Sequence, residues 1–396
     1  MRIIQRLIFG TPEEKWKNGC GILFLILGIL SFFVCLFQAF GQDIWFDEVF
    51  SVNFIQHSYK EIAALTGKDV HPPLYYWYLK LFHDIGKVLV PAASSIVLCK
   101  LASMLPFVGI FVYTLTAIRK NFGLHVAGLF WFLIMTMPQI SNYTVEIRMY
   151  SLALFFITAA FVHSYELVCA FPAQGVSEAE RTAEPGTAAG TEETAEPGAA
   201  GSEVTSGAVL TSGSVTGENG LIKWWKKNKH WLLFWGYGIL TAYTQYYACV
   251  AVIAIYIAVF IFYAVMAHKN KTGKSVFEKV QINQEQVENR KTIQNEAAIQ
   301  SKAAIKEQNR ICARNGIGKV LLCAGLSVLA YLPWLPFFFS QVRTVSSSYW
   351  IQPLTWKSIF GCMKYIFLPV SYTVKKNYVL ACVMILLFGA AFLYSF

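Results

Sequence analysis

The chain has 396 residues, of which 56% are hydrophobic and only 14% are charged. Soluble proteins carry about 25% charged residues, so this composition is typical of a polytopic membrane protein. The net charge of +10 does not indicate a nucleic-acid partner, because the basic residues cluster between apolar runs, where they set membrane orientation. The nine cysteines have no CxxC spacing and mostly lie in or beside apolar runs, which argues against a disulfide framework.

Nine apolar runs are predicted to span the membrane as helices, because lipid offers no hydrogen-bond partner to backbone polar groups. The first, "GILFLILGILSFFVCLFQAF", is long enough to cross the hydrocarbon core and has no small-residue cleavage site after it, so we expect a retained span. The predicted spans are 20–40, 92–118, 123–140, 149–171, 231–246, 247–267, 319–340, 356–372 and 378–396.

The distribution of Lys and Arg predicts the topology. Basic clusters occur at the N-terminus, after the second span, before the fifth, after the sixth and between the last two. With a cytoplasmic N-terminus all of these clusters lie inside, as the positive-inside rule requires. We therefore expect a multi-pass protein of the plasma membrane whose first loop is extracytoplasmic.

Two segments interrupt the spans. In 172–220, "AEPGTAAG" nearly recurs as "AEPGAAG", and this low-complexity composition is typical of disorder. Residues 268–318 are rich in Gln, Lys and Glu, and a solvated or surface-lying cytoplasmic helix is expected there. The predicted organisation is an N-terminal half (1–171) with a long first loop (41–91), a cytoplasmic insertion (172–230), a transmembrane hairpin (231–267), a polar segment (268–318) and C-terminal spans (319–396).

The first loop contains two adjacent acids in "WFDEVFSV" (45–52). On a helix, Asp47 and Glu48 point about 100° apart, so they do not form a co-facial pair of carboxylates. Two interpretations remain open from the residues alone. The acids could simply be solvated in an interfacial loop, or one of them could face a cavity at the membrane boundary and act as a general base.

Two further stretches on the same predicted face carry ionisable residues. In "DVHPPLYYWYLKLF" (69–82), His71 precedes a Pro-Pro helix start, which could be an ordinary turn followed by an interfacial belt of tyrosines. In "VEIRMYSLALFF" (145–156), Glu146 and Arg148 stand at the outer mouth of the fourth span. They could pair or snorkel at the interface, or the arginine could bind phosphate in a cavity.

Taken in order, "DE" after the first span, "HPPLYY" before the second and "EIRMYSL" at the fourth resemble the GT-C glycosyltransferases that use polyprenyl-phosphate sugars, in particular the protein O-mannosyltransferase-like (family 39) and aminoarabinose transferase-like groups. The resemblance covers residues 20–170, and extends more loosely to "LTAYTQYYA" (240–248) and "YLPWLPFFF" (331–339). It implies an all-α GT-C-like fold of about nine spans with interfacial helices in the first extracytoplasmic loop. It also implies that residues 1–171 form the catalytic half and that the first loop (41–91) contains the active site on the extracytoplasmic face.

The resemblance also implies roles for individual residues. Asp47 matches the catalytic base, and Glu48 matches the second, supporting acid of the catalytic pair. Gln245 departs from the "YTHYY" of many bacterial relatives. The expected phosphate-binding residues are His71, Arg148 and Arg343, and the expected cavity or acceptor residues are Glu146, Tyr150, Tyr75, Gln245 and Tyr246.

The implied reaction moves a sugar, with inversion, from a polyprenyl-phosphate donor to a hydroxyl of a glycan, lipid or protein, and the apolar spans would hold the lipid tail. The sequence offers no metal-ligand set, although a divalent metal could assist. Relatives usually continue beyond the apolar run in which this chain ends, so a truncated or a compact member would fit. Three alternatives remain open: a transporter or lipid flippase, a non-enzymatic assembly or sensing protein, and an oligosaccharide ligase that uses a pyrophosphate-linked donor.

Overall fold

The computed structural model describes residues 11–137, 140–171, 220–270 and 290–347, together with residues 355, 356, 358 and 386. The regular elements of these residues are all helical. In chain order they are α1 (Pro12–Ala39), α2 (Phe46–Phe54), α3 (Tyr59–Lys68), α4 (Leu74–Leu89), α5 (Ser95–Tyr113), a π-helical turn (Thr114–Ile118), α6 (Arg119–Thr136), α7 (Ile140–Val145), α8 (Tyr150–Cys169), α9 (Gly220–Thr244), α10 (Tyr246–Lys269), α11 (Arg290–Tyr331), a 3-10 turn (Leu332–Trp334) and α12 (Leu335–Ser347).

Five helical segments of the described chain are long and apolar enough to cross a membrane. This is consistent with the predicted class, an α-helical multi-pass membrane protein. Helix α9, which contains the predicted span 231–246, is not among the five, because its first half is strongly basic. The five segments are Pro12–Ala39, Ser95–Thr136, Tyr150–Cys169, Tyr246–Lys269 and Ala304–Ser346.

The segment Ser95–Thr136 contains two of the predicted spans. Its 42 residues would extend about 63 Å as one straight helix, about twice the thickness of a hydrocarbon core. Helix α5 starts beside the C-terminal end of α1, where Lys100 donates hydrogen bonds to the Gly41 and Asp43 carbonyls. Its continuation packs Ile118 against Ala127 of α6. The chain therefore turns back between these two residues, as the separate predictions 92–118 and 123–140 require.

Gly123 makes this reversal possible. Its φ of +86° lies in the left-handed region, which a residue with a Cβ adopts only at a cost. Past the turn, α6 runs beside α1 at very close range, since a Cβ on Gly128 would collide with the Gly21 carbonyl oxygen. Close approach of backbones at small residues is the usual way in which membrane helices pack.

The first loop (41–91) contains three helices. Helices α2 and α4 lie where the aromatic stretches predicted helices, whereas α3 was not predicted. Helix α3 begins with a capping box, in which Ser58 and Glu61 bond each other's backbone amides. Helix α4 packs its buried face, including Tyr75 and Tyr76, into a core with α2, α5 and α8. The loop is therefore folded against two of the predicted spans.

The helices divide into two compact units, 1–165 with 233–258 and 322–396, and 166–232 with 259–321. The second unit has an aromatic centre, in which Trp231 stacks on Tyr263 and Lys319 lies over the Trp231 ring. The Tyr263 hydroxyl donates to the Leu167 carbonyl at 3.2 Å. All candidate site residues belong to the first unit.

Some predicted boundaries differ from the observed ones. Helix α11 runs from Arg290 to Tyr331 without a break, so residues 290–318 of the polar segment and the start of the span predicted from 319 share one helix. The predicted spans 356–372 and 378–396 and the low-complexity insertion lie outside the described residues, apart from isolated positions.

Candidate functional site

The buried side chain of Glu48 connects the first loop to the segment just before α8 through hydrogen bonds. Its side chain is 5% exposed. One carboxylate oxygen accepts a hydrogen bond from the Trp45 amide at 3.0 Å, and the other accepts from the Ile147 amide at 2.8 Å. The first of these bonds closes the N-terminus of α2, where orphan amides need an acceptor. With one amide on each oxygen, Glu48 holds the backbone that carries Arg148.

Asp47, the neighbouring residue, points elsewhere and is accessible, with 36% of its side chain exposed. Its carboxylate lies 3.6 Å from the terminal nitrogen Nη2 of Arg148, which is buried. The Asp47 carbonyl is also 3.5 Å from Nη1 of the same guanidinium. A solvent-reachable carboxylate therefore lies beside a fixed, buried cation.

His71 and Asp69 extend this cluster. His71 Nε2 lies 3.4 Å from Arg148 Nη2, and His71 Nδ1 lies 3.3 Å from the Asp69 carboxylate. Because a guanidinium can only donate, Nε2 must accept in this arrangement, and Nδ1 carries the proton that is donated to Asp69. His71 thus links the Asp69 carboxylate to the guanidinium of Arg148, and its role in phosphate binding stays a prediction.

Glu146 is the third acid near the guanidinium. Its removal from water raises its pKa from 4.5 to about 7, and the negative charge of Glu48 adds to the rise, which Arg148 and a hydrogen bond with Trp45 oppose. Near neutral pH this carboxyl is thus divided between its two protonation states, as a group that exchanges protons with a ligand would be.

Tyr150 also belongs to the cluster, because its side chain interacts with Arg148 and its ring contacts Tyr143 at a centroid distance of 4.8 Å. The structure does not bring Tyr75 there. The Tyr75 hydroxyl faces Ser103 of α5 at 3.4 Å, and the neighbouring Tyr76 is the one that lies near Arg148 and Asp47. Sequence reasoning missed Tyr76 and Asp69, although both lie in the stretch that it singled out.

The Tyr246 hydroxyl takes part in a chain of hydrogen bonds, and its contact with an acceptor stays a prediction. Its hydroxyl donates to Gln341 and accepts from the Trp334 indole at 2.9 Å. Gln341 in turn donates to the Thr66 carbonyl at 2.8 Å. This chain of bonds ties α12 to the end of α3, directly before Asp69 and His71, so Tyr246 holds the segment that carries them.

The two remaining predicted residues do not contact the cluster in the described part of the chain. Gln245 turns its side-chain oxygen to the amide of Tyr246 at 3.0 Å. Arg343 has an exposed side chain on α12, and no described hydrogen bond or ion pair joins it to Asp47, His71 or Arg148. Their roles in phosphate or acceptor binding stay predictions.

An open groove of about 540 Å³ is lined by residues of α3, α4 and α8. Its surface is wholly apolar. Helix α4 begins three residues after His71 and α8 begins two residues after Arg148, so the groove and the cluster are close in the chain. The lining residues are Tyr59, Leu74, Trp77, Tyr78, Leu81, Leu152 and Phe156.

Within the described residues, no three His, Cys, Asp or Glu side chains come close enough together to hold a metal ion. The cluster instead offers one guanidinium, one accessible carboxylate, a partly protonated carboxyl and two tyrosines. These groups can accept a proton from a hydroxyl and stabilise an anion.

Comparison of the chain with family models, with curated proteins and with solved structures found no match.

Proposed function

We propose that this chain is an integral-membrane glycosyltransferase that moves a sugar from a polyprenyl-phosphate donor to an acceptor hydroxyl. The observation that carries the proposal is the accessible Asp47 carboxylate, 3.6 Å from the buried guanidinium of Arg148. Helices α4 and α8, which follow His71 and Arg148 in the chain, line an apolar groove that could hold a lipid tail. A lipid-linked phosphate has the matching chemistry, an apolar tail joined to an anionic head. The resemblance of "DE", "HPPLYY" and "EIRMYSL" to GT-C enzymes supports the same class.

In the proposed reaction, Asp47 takes the proton of the acceptor hydroxyl as its oxygen attacks the anomeric carbon. The bond between that carbon and the phosphate oxygen breaks, and the polyprenyl phosphate leaves with the electron pair. Arg148 stabilises the charge that develops on the leaving phosphate, and it does so more effectively in a site partly shielded from water. Attack from the side opposite the leaving group inverts the anomeric centre.

The proposal is tested by incubating the purified full-length protein with a panel of radiolabelled polyprenyl-phosphate sugars and candidate glycan, lipid and protein acceptors. A positioned base contributes about 10²–10⁴-fold to the rate, so Asp47→Asn should lose about that much turnover while still binding donor. Arg148→Lys should lose turnover because one ammonium cannot replace the guanidinium fork, and Arg148→Ala should lose more.

The same preparations separate the proposal from its main rival. Reconstituted in vesicles, a transporter or lipid flippase would move a labelled lipid between leaflets without forming product. Lipid movement with no transfer to any acceptor, and with full activity in Asp47→Asn, would overturn the transferase proposal.

A further inference from the structure

The hydroxyl of Tyr76 is fully buried and has no hydrogen-bond partner within the described structure. Leaving a buried polar group unpaired is costly, so such groups usually have a function or a missing partner. The ring itself is well packed, since it meets Phe54 edge-to-face with a centroid distance of 4.8 Å. Packing alone would be served equally well by phenylalanine.

A second unpaired donor lies in the same cluster. The Nε of Arg148 is buried without a partner in the described part of the chain, whereas both terminal nitrogens of this side chain contact Asp47 and one of them also contacts His71. The guanidinium therefore keeps one N–H for a ligand. Three charged side chains act on the Tyr76 hydroxyl. Arg148 has the strongest electrostatic effect, followed by Asp69 and Asp47.

Burial raises the pKa of Tyr76 well above its usual range, against the opposing effect of Arg148. The phenol thus stays protonated at any physiological pH and remains a neutral donor. Asp47 already pairs with Arg148. A neutral donor such as the Tyr76 hydroxyl can bind an anion without forming an ion pair with that carboxylate.

We propose that Tyr76 is a ligand-binding residue, and that its O–H together with the Nε–H of Arg148 holds one anionic oxygen of a phosphate group. This assignment rests on the proposed function for the identity of the phosphate as that of a lipid-linked donor. Tyr76 takes no part in bond breaking; it fixes the phosphate while Asp47 remains free to act on the acceptor.

The experiment measures the binding of geranyl phosphate to the purified full-length protein by calorimetry, in wild type, Tyr76→Phe and Tyr75→Phe. Losing a hydrogen bond to a charged group should weaken binding about 10- to 100-fold in Tyr76→Phe. Tyr75→Phe is the matched comparison, since its hydroxyl is bonded to Ser103 in the core, and its affinity should equal that of wild type. Geraniol has the tail without the phosphate, so it measures binding of the tail alone. Inorganic phosphate has no tail, so it shows whether the site binds free phosphate as well as lipid-linked phosphate.

The unfolding midpoints of the variants without ligand are the control for a structural role of Tyr76. If the Tyr76 hydroxyl only stabilised the fold, its removal would lower the midpoint. Tyr76→Phe removes an unpaired group and should be as stable as wild type or more stable, whereas Tyr75→Phe loses a bond and should be less stable. Incorporating 3-fluorotyrosine at position 76 keeps the ring and strengthens the donor, so it should bind at least as tightly as wild type.

Equal affinity of Tyr76→Phe and wild type for geranyl phosphate, or equal binding of geraniol and geranyl phosphate, would overturn the inference. The outcome is independent of the transfer assay. Binding that depends on Tyr76 with no sugar transfer from any donor would refute only the proposed function, and transfer that is unaffected in Tyr76→Phe would refute only this assignment.

Discussion

Replacing Glu48 by glutamine is expected to destabilise the protein, although the two side chains have nearly the same shape. Both carboxylate oxygens of Glu48 accept backbone amides, those of Trp45 and Ile147. Glutamine keeps one acceptor oxygen but presents an NH₂ group to the other amide, so one of the two bonds is lost and two donors face each other.

The expected size follows from the number of bonds. A hydrogen bond to a charged group contributes about 1.5–3 kcal/mol, so Glu48→Gln should cost about 2–3 kcal/mol and Glu48→Ala, which removes both bonds, about 3–6 kcal/mol. Asp47→Asn is the matched control. Its exposed side chain makes only a 3.6 Å contact with Arg148, and it should cost less than about 1 kcal/mol.

The assay is equilibrium unfolding in mixed micelles with increasing SDS, followed by tryptophan fluorescence, and combined with turnover of the folded fraction. Folded Glu48→Gln should retain most of its turnover per molecule, whereas Asp47→Asn should be stable and inactive. If Glu48→Gln is as stable as wild type but inactive, Glu48 is a reacting group and its assignment as a structural carboxylate is wrong.

Three further predictions test the surroundings of the site. Burial raises the pKa of Glu146 from 4.5 to about 7, so its ionisation lowers the free energy of unfolding of the wild type as pH rises between these values. In unfolding titrations, Glu146→Gln should have the same free energy of unfolding as wild type near pH 4 and one about 1–2 kcal/mol higher at pH 8. Gln341→Ala should cost about 2–3 kcal/mol and lower donor affinity by loosening the end of α3, whereas the exposed neighbour Val342→Ala should do neither. In a cysteine-free background, a cysteine at Asp47 should react with an impermeant reagent in intact cells and one at Gly190 only after permeabilisation; labelling of the latter in intact cells would contradict the predicted topology.

The convergence of residues distant in the chain was predictable where each stood in a distinctive local pattern. Asp47, His71 and Arg148 were each recognisable from a short motif, and the structure brings them within hydrogen-bonding or ion-pair distance. Two of the three helices of the first loop were likewise indicated, α2 by its aromatic flank and α4 by the Pro-Pro pair before it, whereas α3 was not predicted. The division of roles between Asp47 and Glu48 was anticipated only in outline, because the second partner of Glu48, Ile147, is supplied by tertiary structure.

Other features have no local signal. Tyr75 and Tyr76 are adjacent and chemically identical, and only the packing of α4 against α5 and α8 decides which hydroxyl faces Arg148. Gln341 is one of many polar residues in its stretch, and its contact with Thr66 joins positions 275 residues apart. Periodicity and composition describe a helix and its faces, but they do not say which distant backbone will lie against them.

The adjacency of the two acids now has a physical explanation. Helix α2 begins at Phe46, and an acid in its first turn that bonds back to the amide of Trp45 must be long enough to reach it, as the glutamate of a capping box is. With Glu48 fixed in this way, Asp47 is turned about 100° around the helix, away from the Glu48 contacts and toward Arg148 and the solvent. A shorter acid at position 48 could not bond to Trp45 and Ile147 together, and a longer one at position 47 would bring its carboxylate closer to Arg148 and further from a ligand. The order Asp-Glu therefore places an accessible carboxylate and a structural one on consecutive residues. Glu48 bonds to the backbone amides of Trp45 and Ile147, and Asp47 contacts Arg148.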